Sequence, residues 1–395
     1  MKKSFILVFL LCSGILILPA QDSIQSKRQE KSIIYTFGYN KLPANSKIPL
    51  IGIVNKTTDS YSGLELGLLN SCSNNFKGSQ LGLTNSVANN MSGSQIGLMN
   101  ATGNNTKGLR VGFLNAVGNS MIGVEIGFLN AIGNEYTGLN IGFLNAIGNE
   151  IDGLQVGFVN ATGNKMHGIQ VGFVNSTGNK VRGLQLGFMN STGNKFRGVE
   201  AGFINNVGND FSGLQLGFIN KVHKMSGLQF GFLNIIDEVE NGVPVGFLTF
   251  VKKNGYQSVE VGVSDMFPVN ISYKTGTKNF YTSIIASYGF NNENSFAFGF
   301  GLGTMLPLSA RFDFNPELIS LIIPSNSWEQ LYSFKFNAVY QISNHFGLYA
   351  GPSLTWNHSY NDDNFQNPFL SFYSTDLNQY NRIVAGLNAG LRYKF

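Results

Sequence analysis

The chain has 395 residues, of which only 12% are charged and 13% aromatic, and it holds 48 glycines against 10 prolines. This composition is unusual for an ordinary soluble protein and favours tight turns and closely stacked backbone, so we expect an all-β protein. The formal net charge of +5 is scattered along the chain. No basic stripe is present to bind nucleic acid, so we expect no nucleic-acid partner.

The first 20 residues have the features of a secretory signal peptide. Lys2 and Lys3 precede an apolar run over residues 5–18, and the small Ala20 follows it. We expect cleavage after Ala20, and the run is too short for a comfortable transmembrane helix. Cleavage would leave Cys72 as the only cysteine of the given sequence, so an internal disulfide is not expected. Residues 21–49 are predicted to be a linker or capping segment.

A repeat follows over residues 50–250. One copy reads Gly153-Leu-Gln-Val-Gly-Phe-Val-Asn-Ala-Thr-Gly-Asn-Lys-Met-His167, and we number its positions 1–15 from that first glycine. Such a short fixed period predicts a repeat architecture in which each unit packs only against its neighbours. The asparagine of position 8 recurs every fifteen residues, at Asn55, Asn70, Asn85, Asn100, Asn115, Asn130, Asn145, Asn160, Asn175, Asn190, Asn205 and Asn220.

Each copy alternates apolar and polar residues, as in Leu154, Val156 and Phe158 against Gln155. This alternation predicts a short strand whose apolar positions 2, 4 and 6 face the core. Position 6 is phenylalanine in every copy from Phe113 onward, so we expect an interior phenylalanine ladder. Position 14 is also mostly apolar. Asn at position 8 and Gly-Asn at positions 11 and 12 are typical of corners.

Two short strands and two corners in fifteen residues predict one turn of a β-solenoid. The position-8 asparagines of successive turns would then form a ladder of amide hydrogen bonds. The competing fold is an antiparallel meander with one strand per repeat, which two corners per copy disfavour.

Positions 13 and 15 vary in charge. Position 13 carries Glu135, Glu150, Lys165, Lys180, Lys195 and Asp210, and position 15 adds His167, Arg182 and Arg197. We expect Lys165, Lys180, Lys195, Arg182 and Arg197 to form a basic strip, which is the candidate partner surface of the repeats. The alternative is a solvated corner without a partner.

The pattern changes to a strict period of two in residues 256–395, as in Ser295-Phe-Ala-Phe-Gly-Phe-Gly-Leu-Gly303. Segments with an apolar face and a small or polar face predict an eight-stranded antiparallel transmembrane β-barrel, whose side chains largely fill the lumen. The predicted strands are 258–264, 267–274, 280–290, 295–305, 308–315, 331–342, 346–357 and 382–395. The predicted lumen charges are Glu260, Lys274, Arg311, Asp313, Lys335, Arg392 and Lys394.

Links after the second, fourth and sixth of these strands are short, whereas residues 316–330 and 358–381 read as long loops. Long loops of such barrels face the cell exterior. Trp328, Tyr360 and Phe372 in these loops are therefore candidates for contact with the exterior, and the alternative is that the loops are merely solvated.

Two parts of the chain resemble known proteins. Gly-Leu-Gln-Val-Gly-Phe-Val-Asn and its variants resemble the surface-repeat proteins of spirochaetes and bacteroidetes. The final Arg392-Tyr393-Lys394-Phe395 resembles the C-terminal signal of Gram-negative outer-membrane barrels. These resemblances imply a location in the outer membrane and no established activity.

The sequence therefore predicts a non-enzymatic outer-membrane protein, a barrel anchor carrying a solenoid used as spacer or interaction surface. We expect outer-membrane lipid and an unidentified protein or glycan as partners, and no catalytic residue, cofactor or metal. A small solute channel or lipid-binding barrel is one alternative. A polysaccharide-acting β-helix enzyme is another, but its acids (Glu125, Glu135, Glu150, Asp152, Glu200 and Asp210) are expected at corners and unpaired. Because an even-stranded barrel begins and ends on one side, we expect a periplasmic solenoid, although the repeat resemblance favours the surface.

Overall fold

The computed structural model describes residues 37–42, 48–290, 295–324, 329–360, 365 and 367–395. The predicted signal peptide lies outside the described residues. The described chain is all-β, a β-solenoid of about 11 turns followed by a closed eight-stranded antiparallel barrel, which confirms the predicted fold class. Among the described residues, no helix is long and apolar enough to span a membrane. The chain divides into two compact units, residues 1–202 and 203–395.

The strands of the first unit stack in parallel with a register shift of one repeat, so that Lys165 pairs with Lys180 and Asn145 with Asn160. This parallel register excludes the antiparallel meander for the described turns. The segment Tyr39–Leu42 already pairs in the same register. The strands are β1 (Tyr39–Leu42), β2 (Leu50–Ile51), β3 (Val54–Thr57), β4 (Tyr61–Leu66), β5 (Leu69–Cys72), β6 (Phe76–Leu81), β7 (Thr84–Val87), β8 (Met91–Ile96), β9 (Met99–Thr102), β10 (Thr106–Val117), β11 (Met121–Ile132), β12 (Glu135–Ile147), β13 (Glu150–Val156), β14 (Val159–Thr162), β15 (Lys165–Val171), β16 (Val174–Thr177), β17 (Lys180–Leu186) and β18 (Met189–Thr192), followed by β19 (Lys195–Lys253).

The solenoid is polar inside and apolar outside, so the prediction of an interior phenylalanine ladder is wrong. In the turn 153–167, Gln155, Asn160, Thr162 and Met166 are buried, whereas Phe158 is 46% exposed. The same holds along the first unit, where the rings from Phe113 to Phe188 are 42–50% exposed. Positions 3, 8, 10 and 14 thus face the interior, and positions 2, 4 and 6 face outward.

The alternation over positions 2–6 is preserved, but its two faces are exchanged relative to the prediction. Leu154, Val156 and Phe158 all lie on the outer side, and the polar Gln155 between them is buried. The chain bends at Gly157 and Phe158, and Asn160 beyond the bend is buried. Gly157 has no room for a side chain there, because a Cβ would lie 2.3 Å from the Gly142 carbonyl oxygen of the preceding turn. The period is therefore predicted correctly, and the assignment of its apolar face to the core is wrong.

Inward-pointing carbonyl groups explain why asparagine fills the interior. Asn160 Nδ2 donates to the Val171 carbonyl oxygen at 2.8 Å and to Asn175 Oδ1 at 2.9 Å. The same carbonyl oxygen accepts from the Gly157 backbone amide at 3.0 Å, so Asn160 fills its second acceptor position, which an apolar residue at position 8 would leave empty. The predicted asparagine ladder is confirmed, and its side-chain amides donate hydrogen bonds to backbone carbonyls as well as to one another.

We expect Met166→Ala to cost about 2–5 kcal/mol of unfolding free energy, because the side chain is fully buried. Phe158→Ala should cost only about 1–2 kcal/mol, since it loses mainly its stacking on Phe143 and Phe173. Denaturant unfolding of both variants in dilute protein measures the difference. A larger cost for Phe158→Ala would contradict an exterior ladder.

The solenoid turns of the second unit end on the barrel. Asn220 Nδ2 donates to Asn234 Oδ1 at 3.0 Å, and Asn234 Nδ2 donates to Thr249 Oγ1 at 3.3 Å. The Thr249 carbonyl oxygen in turn accepts from the Thr275 hydroxyl, and the Gly246 carbonyl accepts from Thr282 Oγ1 at 2.8 Å. A hairpin of the barrel thus caps the last turn of this unit.

The barrel strands are β20 (Tyr256–Val263), β21 (Val269–Gly276), β22 (Tyr281–Gly289), β23 (Ser295–Gly303), β25 (Phe312–Ile323), β26 (Glu329–Gln341), β27 (Phe346–Ser359) and β29 (Asn381–Lys394), with the short β24 (Leu306–Pro307) beside β25 and β28 (Ser371–Asn378) beside β29. Neighbours in this order pair antiparallel. The pairing of β20 with β29, in which Glu260 lies opposite Arg392, closes the barrel.

The fifth barrel strand was wrongly placed at 308–315. β25 continues through Pro316, which lies opposite Phe336, and ends at Ile323, so residues 316–323 are strand rather than loop. Proline suggests a strand end, and the lumen side changes here from polar to the apolar Ile319 and Leu321, which hides the alternation. The predicted loop 358–381 likewise contains β28.

The barrel wall has the predicted polarity. Phe298 and Leu318 are exposed on the outside, whereas Glu260, Lys274, Asp313 and Arg392 are buried in the lumen. Lys335 and Lys394 are half-buried. Arg311 is an exception to the prediction, because it lies in the exposed link before β25.

Candidate interaction surfaces

The basic strip is formed by neighbouring turns of the first unit. The parallel register stacks Lys165, Lys180 and Lys195 in one column and His167, Arg182 and Arg197 in the next. Lys180, Arg182, Lys195 and Arg197 are exposed. Lys165 is half-exposed, and its Nζ lies 2.5 Å from Glu150 Oε1.

The same two columns continue into acidic residues. Glu135 and Glu150 precede Lys165 in the position-13 column, and Asp152 precedes His167 in the position-15 column. The strip is therefore one half of a flank whose charge changes sign along the stack. Sequence reasoning named these acids but did not connect them with the lysines as neighbours in space.

An exposed apolar face lies beside this flank, at positions 2, 4 and 6. Its phenylalanine rings from Phe113 to Phe188 stack on one another with centroids 4.8–5.0 Å apart and planes within 1°. Sequence reasoning assigned this face to the interior and so missed it as a surface. The signal that could have identified it is the recurring glutamine at position 3, because amides such as Gln155, Gln170 and Gln185 pair with one another along an interior column.

The three aromatic residues predicted to contact the exterior, Trp328, Tyr360 and Phe372, differ in what the structure describes of them. Trp328 lies outside the described residues. Tyr360 is 58% exposed and donates its hydroxyl to Gln330 Oε1 at 3.2 Å. Phe372 is 69% exposed on β28, a strand whose side chains are almost all exposed. Tyr360 and Phe372 are thus available on the surface.

The barrel lumen holds a compact charge network. Lys274 Nζ lies 2.8 Å from Glu260 Oε2 and 2.7 Å from Glu317 Oε1, and Arg392 Nε donates to Glu260 Oε1 at 2.5 Å. Two cations and two carboxylates therefore balance one another inside the barrel. All four side chains are at most 5% exposed. The network fills space that a water-filled path would need.

The position-3 column inside the solenoid also contains charges, which corrects the expectation that Glu125 and Glu200 sit at corners. Both are fully buried in this column, where glutamine is the usual residue. Arg110 Nε lies 3.9 Å from Glu125 Oε1. Burial raises the pKa of Glu125 to about 7, although the attraction of Arg110 opposes the shift. This long contact is a structural ion pair without access to solvent.

Glu65 at the same position should make the solenoid pH-sensitive. Burial raises its pKa from 4.5 to about 7, against the hydrogen bond from Gln80. Between these values the folded chain keeps a proton that the unfolded chain loses, so stability falls as pH rises from about 4.5 through 7. The total loss is about 3 kcal/mol.

Glu65→Gln should remove the contribution of Glu65 to the pH dependence and raise the melting temperature at pH 8, because glutamine matches the neighbouring Gln80. The contribution of Glu125, whose pKa is also raised to about 7, should remain. Melting curves at several pH values measure the effect, and Glu135→Gln at an exposed position is the matched control. An unchanged pH profile of Glu65→Gln would contradict the assignment.

Within the described part of the chain, no cluster of three or more His, Cys, Asp or Glu side chains could hold a metal ion. The chain's candidate surfaces are thus an apolar face with a charged flank on the first unit, and exposed aromatic side chains at one end of the barrel. Comparisons with protein families, with curated proteins and with solved structures found no match.

Proposed function

We propose that this chain is a non-enzymatic outer-membrane protein whose barrel is the anchor and whose solenoid is a spacer or interaction surface. The observation that carries the proposal is the polarity of the barrel wall. Phe296, Phe298 and Phe300 alternate outward along β23 and are 45–50% exposed, while the charges of Glu260 and Arg392 are buried inside. Exposure of this apolar outer surface to water is unfavourable, whereas contact with the hydrocarbon core of a bilayer is favourable.

Aromatic side chains near the strand ends support the same proposal. Trp356 stacks on Tyr332 with centroids 5.5 Å apart, and Tyr393 packs on Phe346 at 5.1 Å. Tryptophan and tyrosine prefer the interface between hydrocarbon and headgroups. The repeat resemblance favours export to the same membrane.

The ends of the barrel suggest an orientation. The Phe395 amide donates to the Gln257 carbonyl oxygen at 3.1 Å, so the first and last strands share one end. The short links 277–280 and 342–345 also connect strands at that end, whereas the long segment 360–380 is at the other. Short turns of such barrels face the periplasm. We therefore propose that the chain enters the barrel from the periplasm and that the solenoid stays there.

Cell fractionation tests the anchor. The protein should remain in outer-membrane fractions after a urea wash, and its gel mobility should change on boiling because a closed barrel resists detergent until heated. A protein released by urea, or one whose mobility boiling leaves unchanged, would rule out the anchored barrel.

Surface labelling tests the orientation. The cysteine of Leu377→Cys should react with a membrane-impermeant maleimide on intact cells, because Leu377 is exposed on β28. Lys180→Cys should stay unlabelled until the outer membrane is opened, and the buried Cys72 is an internal control. Labelling of Lys180→Cys on intact cells would place the solenoid on the surface.

A solute channel is the second candidate, because the lumen is polar. The mutual pairing of Lys274, Glu260, Glu317 and Arg392 argues against an open path. Purified protein in planar bilayers should show no single-channel conductance, and regular conductance steps would favour the channel instead.

A further inference from the structure

The apolar face of the first unit is unbroken over the five turns of residues 123–197. Position 6 of these turns is Phe128, Phe143, Phe158, Phe173 and Phe188, each 42–46% exposed. Positions 2 and 4 are leucine, isoleucine or valine throughout, and no charged residue interrupts them. A contiguous exposed apolar surface of this kind marks an interaction site.

The charges on the flank of the same turns change sign in a regular order along the stack. Along position 13 the charges run Glu135, Glu150, Lys165, Lys180 and Lys195. Along position 15 they run from Asp152 through His167 to Arg182 and Arg197. Acids precede the turn 153–167 and bases follow it. Reversing the order of the turns therefore exchanges the signs.

We propose that a second copy of this chain covers the apolar face, with the two stacks of turns antiparallel and a two-fold axis through the turn 153–167. A two-fold axis parallel to the strands brings each column of one copy opposite the same column of the other copy and reverses the order of the turns. Both copies then use the same surface, as an isologous contact requires. Phenylalanine then faces phenylalanine. On the flank, Glu150 meets Lys180 of the second copy, and Asp152 meets Arg182 of the second copy. Lys165 lies on the axis opposite its own mate, and the contact of its Nζ with Glu150 Oε1 at 2.5 Å in the same copy offsets this like charge.

The size of the contact fits a specific interface. Five turns spaced ~4.8 Å apart and a strand segment of about seven residues give roughly 500 Å² on each copy. The total of about 1,000 Å² reaches the minimum for a specific interface and is typical of weak or transient contacts. An apolar centre with a charged rim is also their usual anatomy.

Other occupants fit less well. An anionic lipid surface would attract Lys180 and Arg182 but repel Glu135, Glu150 and Asp152 on the same flank. A two-fold axis along the stack would keep the turns parallel but reverse the order of the columns. It would therefore place the charged positions 13 and 15 of each copy against the apolar positions 6 and 4 of the other. The antiparallel copy is the arrangement that matches both the apolar face and the order of charges.

Cross-linking of the full chain, in whichever cell fraction holds it, tests this proposal. The proposed pairing of two copies rests on the proposed role of the solenoid as an interaction surface, but it does not require the barrel to be in a membrane. His167→Cys lies on the axis and should be joined to its mate by a short bis-maleimide. Ile122→Cys, at position 15 three turns away, should not react, because its mate would be roughly 29 Å distant. The wild-type chain controls for the buried Cys72.

A charge swap tests the register. In the His167→Cys background, Asp152→Arg alone and Arg182→Asp alone should each reduce the cross-linked fraction about fivefold or more, because like charges then meet across the axis. Combining both substitutions should restore it, since opposite charges face each other again. Both positions are exposed, so neither change threatens the fold.

Three results would overturn the proposal. Equal cross-linking of His167→Cys and Ile122→Cys would indicate parallel or nonspecific association. Failure of His167→Cys to cross-link would exclude the axis. Quenching of Phe173→Trp by brominated lipid, with Trp328 and Trp356 replaced by phenylalanine, would assign the face to lipid.

Discussion

Asn160→Asp should destabilise the solenoid by roughly 4–6 kcal/mol, because it removes two donated hydrogen bonds and buries a charge without a cation. The lost bonds are those to the Val171 carbonyl and to Asn175 Oδ1. Asn145 Nδ2, which donates to Asn160 Oδ1 at 2.9 Å, would keep its acceptor, so the cost arises on one side of the ladder. The denaturant midpoint of the solenoid measures the effect.

Asn164→Asp is the matched control for this substitution. Asn164 is half-exposed at a corner, where its Nδ2 donates to Asn149 Oδ1 at 3.0 Å. Water can solvate an aspartate there, so we expect a cost of about 1 kcal/mol or less. Equal costs at positions 160 and 164 would mean that the ladder of Asn160 does not carry the stability of the interior.

Removing residues 153–167 as a whole should leave a folded solenoid that is one turn shorter. Every column continues across the deletion, because residues fifteen apart already occupy equivalent places, as Asp152 and His167 do. Each turn contacts only its neighbours, so the flanking turns can stack on each other. Circular dichroism and protease resistance measure folding.

Removing only residues 153–159 should prevent the turns beyond the deletion from stacking in register. The shift would place the exterior His167 opposite the buried Asn145, so the Asn145 amide would lose its partner Asn160. We therefore expect loss of protease resistance over the repeats. If the repeats stay folded after both deletions, or unfold after both, a stack of fifteen-residue turns would be contradicted.

The sequence was informative wherever a residue's spacing alone decided the structure. The fifteen-residue interval from Asn145 to Asn160 predicts both the parallel register and the amide ladder. In the barrel, alternation along 295–303 predicts which side of β23 faces outward, and Glu260 and Arg392 were correctly assigned to the lumen. These features depend on period and chemistry, which a sequence displays directly.

Spacing was insufficient where hydrophobicity had to decide which face is buried. Leu154, Val156 and Phe158 lie together on one face, as the period of two predicts, but that face points outward because the interior holds the hydrogen-bonding amides of Gln155 and Asn160. Pro316 suggested a loop for a different reason, although its side of β25 faces away from the lumen and the strand continues. Neither outcome follows from hydrophobic periodicity alone.

The candidate surfaces were predictable in part. Equal spacing placed Lys165, Lys180 and Lys195 on one strip. The relation of that strip to Glu150 and Asp152 follows only from the parallel register, which makes residues fifteen apart into neighbours. The apolar face could not be recognised as a surface while its phenylalanines were assigned to the interior.

Collision of a spin label with oxygen and with a water-soluble nickel chelate tests the proposed membrane anchor most directly. The label is attached to Phe298→Cys in isolated outer membranes, and a second label at Phe372→Cys on the exposed β28 serves as the reference for water. We expect frequent collisions with oxygen and few with nickel at position 298, and the reverse at position 372. Nickel collisions at position 298 as frequent as those at position 372 would show that the barrel wall lies in water, and would contradict the anchor.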